Sequence, residues 1–316
     1  MKSVQPFLKA YLRWVVLGLS LYFILTTLHR HWQDLQSVSI RPGGWLLLGE
    51  AVGITFLAHA WSGWVWSWIL ALFRQPIRPL WAIQVYLWTN IAKYLPGNIW
   101  HFYGRIRAVH KIGGSLGAAS LSVLLEPVLM AVAALSIALA SNWLGIVKSR
   151  PNSLGFAWQG LILVAILLAI HPLILNRVLE KLRRLKGTVA ETESEPVVLS
   201  TYPWLPLLGE LGFLLLRATG FILTLRALTP VQPEQIPHLV SVFSFAWLVG
   251  LVVPGAPGGL GVFEATMLTI LDKSYFSPAI ILSAVTAYRL ISILAELMGA
   301  GLAKMTQGNF LSQIKD

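Results

Sequence analysis

Apolar residues run in long blocks along this chain, separated by short polar stretches. Blocks of spanning length lie at about 10–28, 44–73, 115–140, 155–175, 203–228 and 278–303. About 20 such residues cross the hydrocarbon core of a bilayer as one helix. Two shorter apolar runs, at about 80–95 and 238–253, each end at a Pro-Gly pair: Pro96-Gly97 and Pro254-Gly255. Proline removes a backbone donor and glycine readily adopts positive φ, so a helix stops at these points. After each break the chain resumes with a second short segment. The pattern predicts an all-α polytopic integral membrane protein. It excludes a β-barrel, whose strands use only about ten alternating residues.

Composition agrees with the pattern: 56% of the 316 residues are hydrophobic, 12% are charged, and mean hydropathy is +0.69. No soluble domain needs that much apolar surface. The absence of cysteine excludes a disulfide framework, a thiolate metal site and a cysteine nucleophile. In a soluble protein the net charge of +11 would suggest nucleic acid. Here the charges lie between apolar blocks, where they act as topology signals and meet anionic lipid headgroups, so no nucleic-acid partner is expected. The first block follows Lys2, Lys9 and Arg13 and runs to about Leu28, where it meets His-Arg-His rather than a small-residue cleavage site. It reads as a retained anchor helix.

The basic residues give an orientation. With the N-terminus in the cytoplasm, 15 of the 24 Lys and Arg residues fall in cytoplasmic segments and five in outside loops. This bias holds only if 80–104 and 238–271 each enter and leave on one side, as re-entrant helical hairpins. The first then opens to the cytoplasm and the second to the outside. About six full spans and two hairpins result, both termini are cytoplasmic, and the membrane is the plasma membrane. The chain divides into halves 1–145 and 146–316, joined by a cytoplasmic linker at about 177–200 that contains the polar stretch GTVAETESEP. Each half holds two helices, a hairpin and a helix, in opposite orientation. This inverted repeat within a single transmembrane domain is the layout of many secondary transporters.

Broken backbone at membrane depth is tolerated only where protein buries it or water reaches it, and freed helix N-termini favour anions. Pro96, Gly97, Pro254 and Gly255 are therefore candidate lining residues of a polar site; the alternative is a structural kink or interfacial turn. Gly258, Gly259 and Gly261 permit positive φ and close backbone approach, and a lipid phosphate could rest on their N–H groups. Without Gly-Lys-Ser/Thr or a strand they do not form a nucleotide loop. Charges within the blocks are the other candidates. Glu126 and Arg289 lie mid-helix at corresponding places in the two halves; isolated, each would cost roughly 2.5 kcal/mol or more. A mutual pair, or a pair opened by a charged substrate, would relieve this, as would pairs that only fix helix register. Lys93 and Glu264 flank the breaks. Glu210 and Arg217 share one helix face. Glu50, Glu296 and Arg226 lie nearer helix ends, where side chains snorkel. Trp61, Trp64 and Trp68 recur at helical spacing, as an interface belt or packing face rather than a binding wall. His59 and His101 read as polar packing or cavity residues. No metal motif, catalytic constellation or cofactor site is expected.

Two motifs in this order, Lys93-x-x-Pro-Gly-x7-Arg105 and Pro257-Gly-Gly-x-Gly-x-x-Glu264-Ala, resemble the transmembrane region of lysylphosphatidylglycerol synthetases and their stand-alone membrane relatives. The resemblance covers essentially the whole chain. In the full-length synthetases this region is the flippase part, and a C-terminal cytoplasmic domain, absent from this sequence, transfers lysine to phosphatidylglycerol. The resemblance thus implies lipid translocation or lipid binding rather than aminoacyl transfer. It leaves open a phospholipid or a lipid-linked sugar carrier as substrate. On that expectation Lys93, Arg105 and Arg289 contact phosphate, while Glu126 and Glu264 pair with these cations or receive a headgroup amine. Two other functions fit less directly: a lipid-binding membrane subunit that recruits a transferase, and a membrane-embedded lipid-modifying transferase.

Overall fold

The computed structural model describes residues 39–94, 99–143, 153–186, 198–253, 259, 261–271 and 275–313. All regular structure among them is helical. The first expected span, the Pro-Gly pairs themselves, Gly258 and the polar stretch of the linker lie outside the described residues.

α1 (Gly44–Leu72) begins at Gly43, whose φ of 76° turns the chain sharply into the helix. Pro79 opens α2 (Pro79–Asn90), where its missing N–H costs nothing. One 3-10 turn, Ile91–Tyr94, ends that arm. Beyond the first break comes α3 (Trp100–Lys111), then α4 (Leu116–Trp143), which carries Pro127 in its interior. The second half holds α5 (Ser153–Ala169), α6 (Pro172–Lys186), α7 (Trp204–Leu228) and α8 (Ile236–Val252). It closes with α9 (Val262–Ile270) and α10 (Pro278–Gln313).

Four expected spans appear as α1, α4, α7 and α10, each long and apolar enough to cross a membrane. The block at 155–175 differs. It stops after 17 helical residues, and Pro172 starts a new helix. Conversely, Pro233–Val252, expected as a short hairpin arm, has span length and hydropathy. The basic run expected at the start of the flexible linker is helical as α6. Leu175, Leu179 and Leu182 recur there at helical spacing among Arg177, Lys181 and Arg183. Asn176 ties α6 down: its amide donates to the Leu199 carbonyl at 3.0 Å and accepts from the Leu199 N–H at 2.8 Å.

The centre is the long α1–α7 contact, made close by small residues. A Cβ on Gly209 would fall 2.5 Å from Val65, and one on Gly220 would fall 2.6 Å from Thr55. Small residues at helix interfaces let backbones approach within lipid. Trp61, Trp64 and Trp68 form an edge-packed cluster with centroids 5.8–6.0 Å apart. Trp61 also donates to the Gly209 carbonyl at 2.7 Å and Trp68 lies against Gly209, so these two pack α1 on α7, while Trp64 is exposed. α2, α4, α8 and α10 pack around the pair. Outward faces carry bare leucines, including Leu57, Leu124, Leu215 and Leu294. Such a surface is stable against lipid, not water.

Candidate functional site

Both broken elements border one cavity of about 450 Å³. The first contributes Lys93 and Tyr94 before its break and His101 and Arg105 after it. The second contributes Gly250 and Val253 before its break, then Gly259 and Phe263. Glu126 of α4, Arg217 of α7 and Arg289, Ser292 and Glu296 of α10 add to the polar lining, as do His59 of α1 and Asn90 of α2.

Local sequence explains the second element. Gly259 has φ of 72° and Gly261 has φ of 80°, a region that glycine enters without strain. A Cβ on Gly259 would lie 3.3 Å from the Gly250 Cα, so the two arms meet at paired glycines. Glu264, three residues after Gly261, accepts its N–H at 2.6 Å and satisfies one orphan donor of α9. The positive-φ reading of these glycines is thus met at Gly259 and Gly261, and the close-approach reading at Gly259.

Among the described residues the charges around the cavity form three carboxylate–cation pairs. Lys93 Nζ lies 2.6 Å from Glu296 Oε1, which also accepts His59 Nε2 at 3.3 Å. Arg289 Nη2 lies 2.8 Å from Glu264 Oε1, with Nε at 3.3 Å. Arg105 pairs with Glu126, both about 2% exposed, and its guanidinium lies 3.7 Å from the Tyr86 ring centroid. The expected Glu126–Arg289 pair is therefore corrected. α3 packs on α4 and α9 packs on α10, so each charge meets the opposite charge of its own hairpin.

Arg217 differs from the other three cations. It donates to Ser292 Oγ at 3.1 Å, lies 3.4 Å from His59 Nε2, and sits 5.1 Å from the Tyr288 ring centroid. No carboxylate pairs with it among the described residues. Glu210, expected on the same face, does not meet Arg217. It is fully buried, and neither carboxyl oxygen has a hydrogen-bond partner among the described residues.

Of the candidate residues, Lys93, Arg105, Glu126, Arg217, Gly259 and Arg289 converge on the cavity, and Glu264 joins through Arg289. Glu210 stands behind it. Glu296 also lines the cavity: the snorkelling expected of it is overturned by its 3% exposure and its pair with Lys93. The signal was periodicity, since Arg289, Ser292 and Glu296 fall at i, i+3 and i+7 on one face. Glu50 and Arg226 are exposed, as residues near helix ends are.

A cavity lined by ion pairs, inside a bundle whose outward faces suit only lipid, defines a polytopic membrane protein with a polar interior site. Over residues 13–298 the chain matches the family described as lysylphosphatidylglycerol synthase TM region, and it belongs to that family. The membership carries a membrane lipid-related function, and no catalytic domain is evident in these 316 residues. No curated protein matches the chain.

Proposed function

We propose that the protein is a lipid translocator of the plasma membrane that binds a phospholipid or lipid-carrier headgroup between its two broken elements. The observation that carries this reading is Arg217, a cavity cation not met by any described carboxylate. Beside it stands Ser292, whose hydroxyl accepts from Arg217 and can donate its own proton to a phosphate oxygen. A guanidinium matches phosphate geometry better than any other side chain. The three neighbouring ion pairs hold further cations that an arriving anion can recruit. Pro96-Gly97 and Pro254-Gly255 are the hairpin tips in this reading, with the headgroup between them and the acyl chains outside the polar cavity.

The charge order supports an inverted repeat of halves 1–145 and 146–316. In the first half a hairpin cation, Arg105, meets a carboxylate on the following helix, 21 residues on. In the second a hairpin carboxylate, Glu264, meets a cation on the following helix, 25 residues on. Both termini are cytoplasmic in this arrangement.

Translocation of a headgroup-labelled phosphatidylglycerol in proteoliposomes tests the proposal. The protein accelerates it over protein-free vesicles. A hydrogen bond to a charged group contributes about 1.5–3 kcal/mol, so Arg217→Gln slows it by about tenfold or more. A protein-free rate in the presence of the folded protein contradicts the proposal.

α6 favours a second reading, a lipid-binding subunit that recruits a transferase. Its basic face fits an anionic membrane surface or an acidic partner. Co-purification with a transferase, without lipid movement by the protein alone, would select that reading.

A further inference from the structure

Beside the polar cavity lies a second concavity, of about 520 Å³, lined only by apolar side chains. On α4 its wall is the stripe Val128, Val132 and Leu135; on α8 it is Leu248 and Val252; α5 closes its far side. The same two helices turn other faces to the polar cavity, Glu126 and Met130 on α4 and Trp247 and Leu251 on α8. Val253 borders both spaces. One seam therefore separates a charged compartment from a hydrocarbon one.

Free phosphate or a water-soluble headgroup would use only the first compartment. An amphiphile uses both. Water gains no partners in a concavity without polar atoms, so hydrocarbon fills the groove. Val128 and Val252, 43% and 65% exposed, leave it open to the surroundings, so a chain can leave without separating packed helices. Resting on the reading of the cavity as a headgroup site, we infer that the groove seats an acyl chain of the same lipid whose phosphate the cavity holds. The substrate then enters sideways past the end of α8, at Val253, which caps that helix and borders both spaces. A chain-bearing anionic lipid is the substrate class this fits.

The full chain in liposomes, with an anionic phospholipid carrying a photoreactive diazirine in mid-chain, tests this by mapping the adducts. Adducts on Val128–Leu135 and Leu248–Val253 should exceed several-fold those on the outward face of α7 around Leu208 and Leu215, which are lipid-facing but ungrooved. Val132→Trp, or the milder Ala131→Phe, should remove the excess in protein that still elutes as a folded species. Arg217→Gln should lower it, because the lipid loses its anchor. Adducts spread evenly over the groove and α7 overturn the groove site, even where headgroups are translocated. An excess indifferent to Arg217→Gln overturns the claim that chain and phosphate belong to one lipid. A selective excess in a protein that moves no headgroup keeps the groove and rejects translocation alone.

Discussion

Arg105 and Glu126 have left water almost completely, and for such a pair the desolvation cost rivals the mutual attraction. Removing one partner is worse than removing both, because it strands a buried charge. Glu126→Gln should cost about 3–5 kcal/mol of stability, while Arg105→Met with Glu126→Leu should cost clearly less. Unfolding in micelles across the double-mutant cycle reads this; a single-variant cost below about 1 kcal/mol would show the pair to be loosely held. The same contrast separates two glutamates that look alike in sequence. Glu296→Gln disturbs Lys93 and His59 and lowers the melting temperature, whereas exposed Glu50→Gln stays within about 0.5 kcal/mol of the parent. Periodicity along α10 could identify Glu296 as a cavity residue. It could not identify Lys93 as its partner, since the two lie 203 residues apart and meet only through the packing of the broken first element on α10.

Helix packing divides the glycines of α1 into two kinds. Gly63 faces α2 so closely that a Cβ would lie 2.7 Å from the Ile83 backbone, whereas Gly49 and Gly53 face open space. Gly63→Ala should force α1 from α2 and cost about 1–3 kcal/mol. Gly49→Ala removes helix-weakening flexibility and should gain about 0.5–1 kcal/mol. Thermal unfolding of the two variants in detergent checks the sign of each; equal shifts would contradict the close contact. At this scale much was legible in the sequence. Residues 44–73, 203–228 and 278–303 became helices because no Pro-Gly pair breaks their mainly apolar runs, and the second break has the positive-φ glycines it required. Proline position alone explains where the 155–175 block departs, for Pro172 begins α6 rather than ending a span. Which charge meets which was not legible, because it depends on α3 lying on α4 and α9 on α10.

For the molecule as a whole, the central claim is that a polar cavity deep in a lipid-facing bundle receives a lipid anion. The chain contains no cysteine, so a single introduced thiol reports without background. Ser292 lines the cavity next to Arg217, while Ala51 is fully buried in the core and serves as the control. The most direct measurement is the reaction rate of Ser292→Cys with a membrane-impermeant thiosulfonate, in vesicles of zwitterionic lipid with and without added phosphatidylglycerol. The account predicts that Ser292→Cys reacts while Ala51→Cys does not, and that the anionic lipid slows the reaction several-fold. A thiol at 292 that stays unreactive in folded protein, or reacts at the same rate in both membranes, would contradict it.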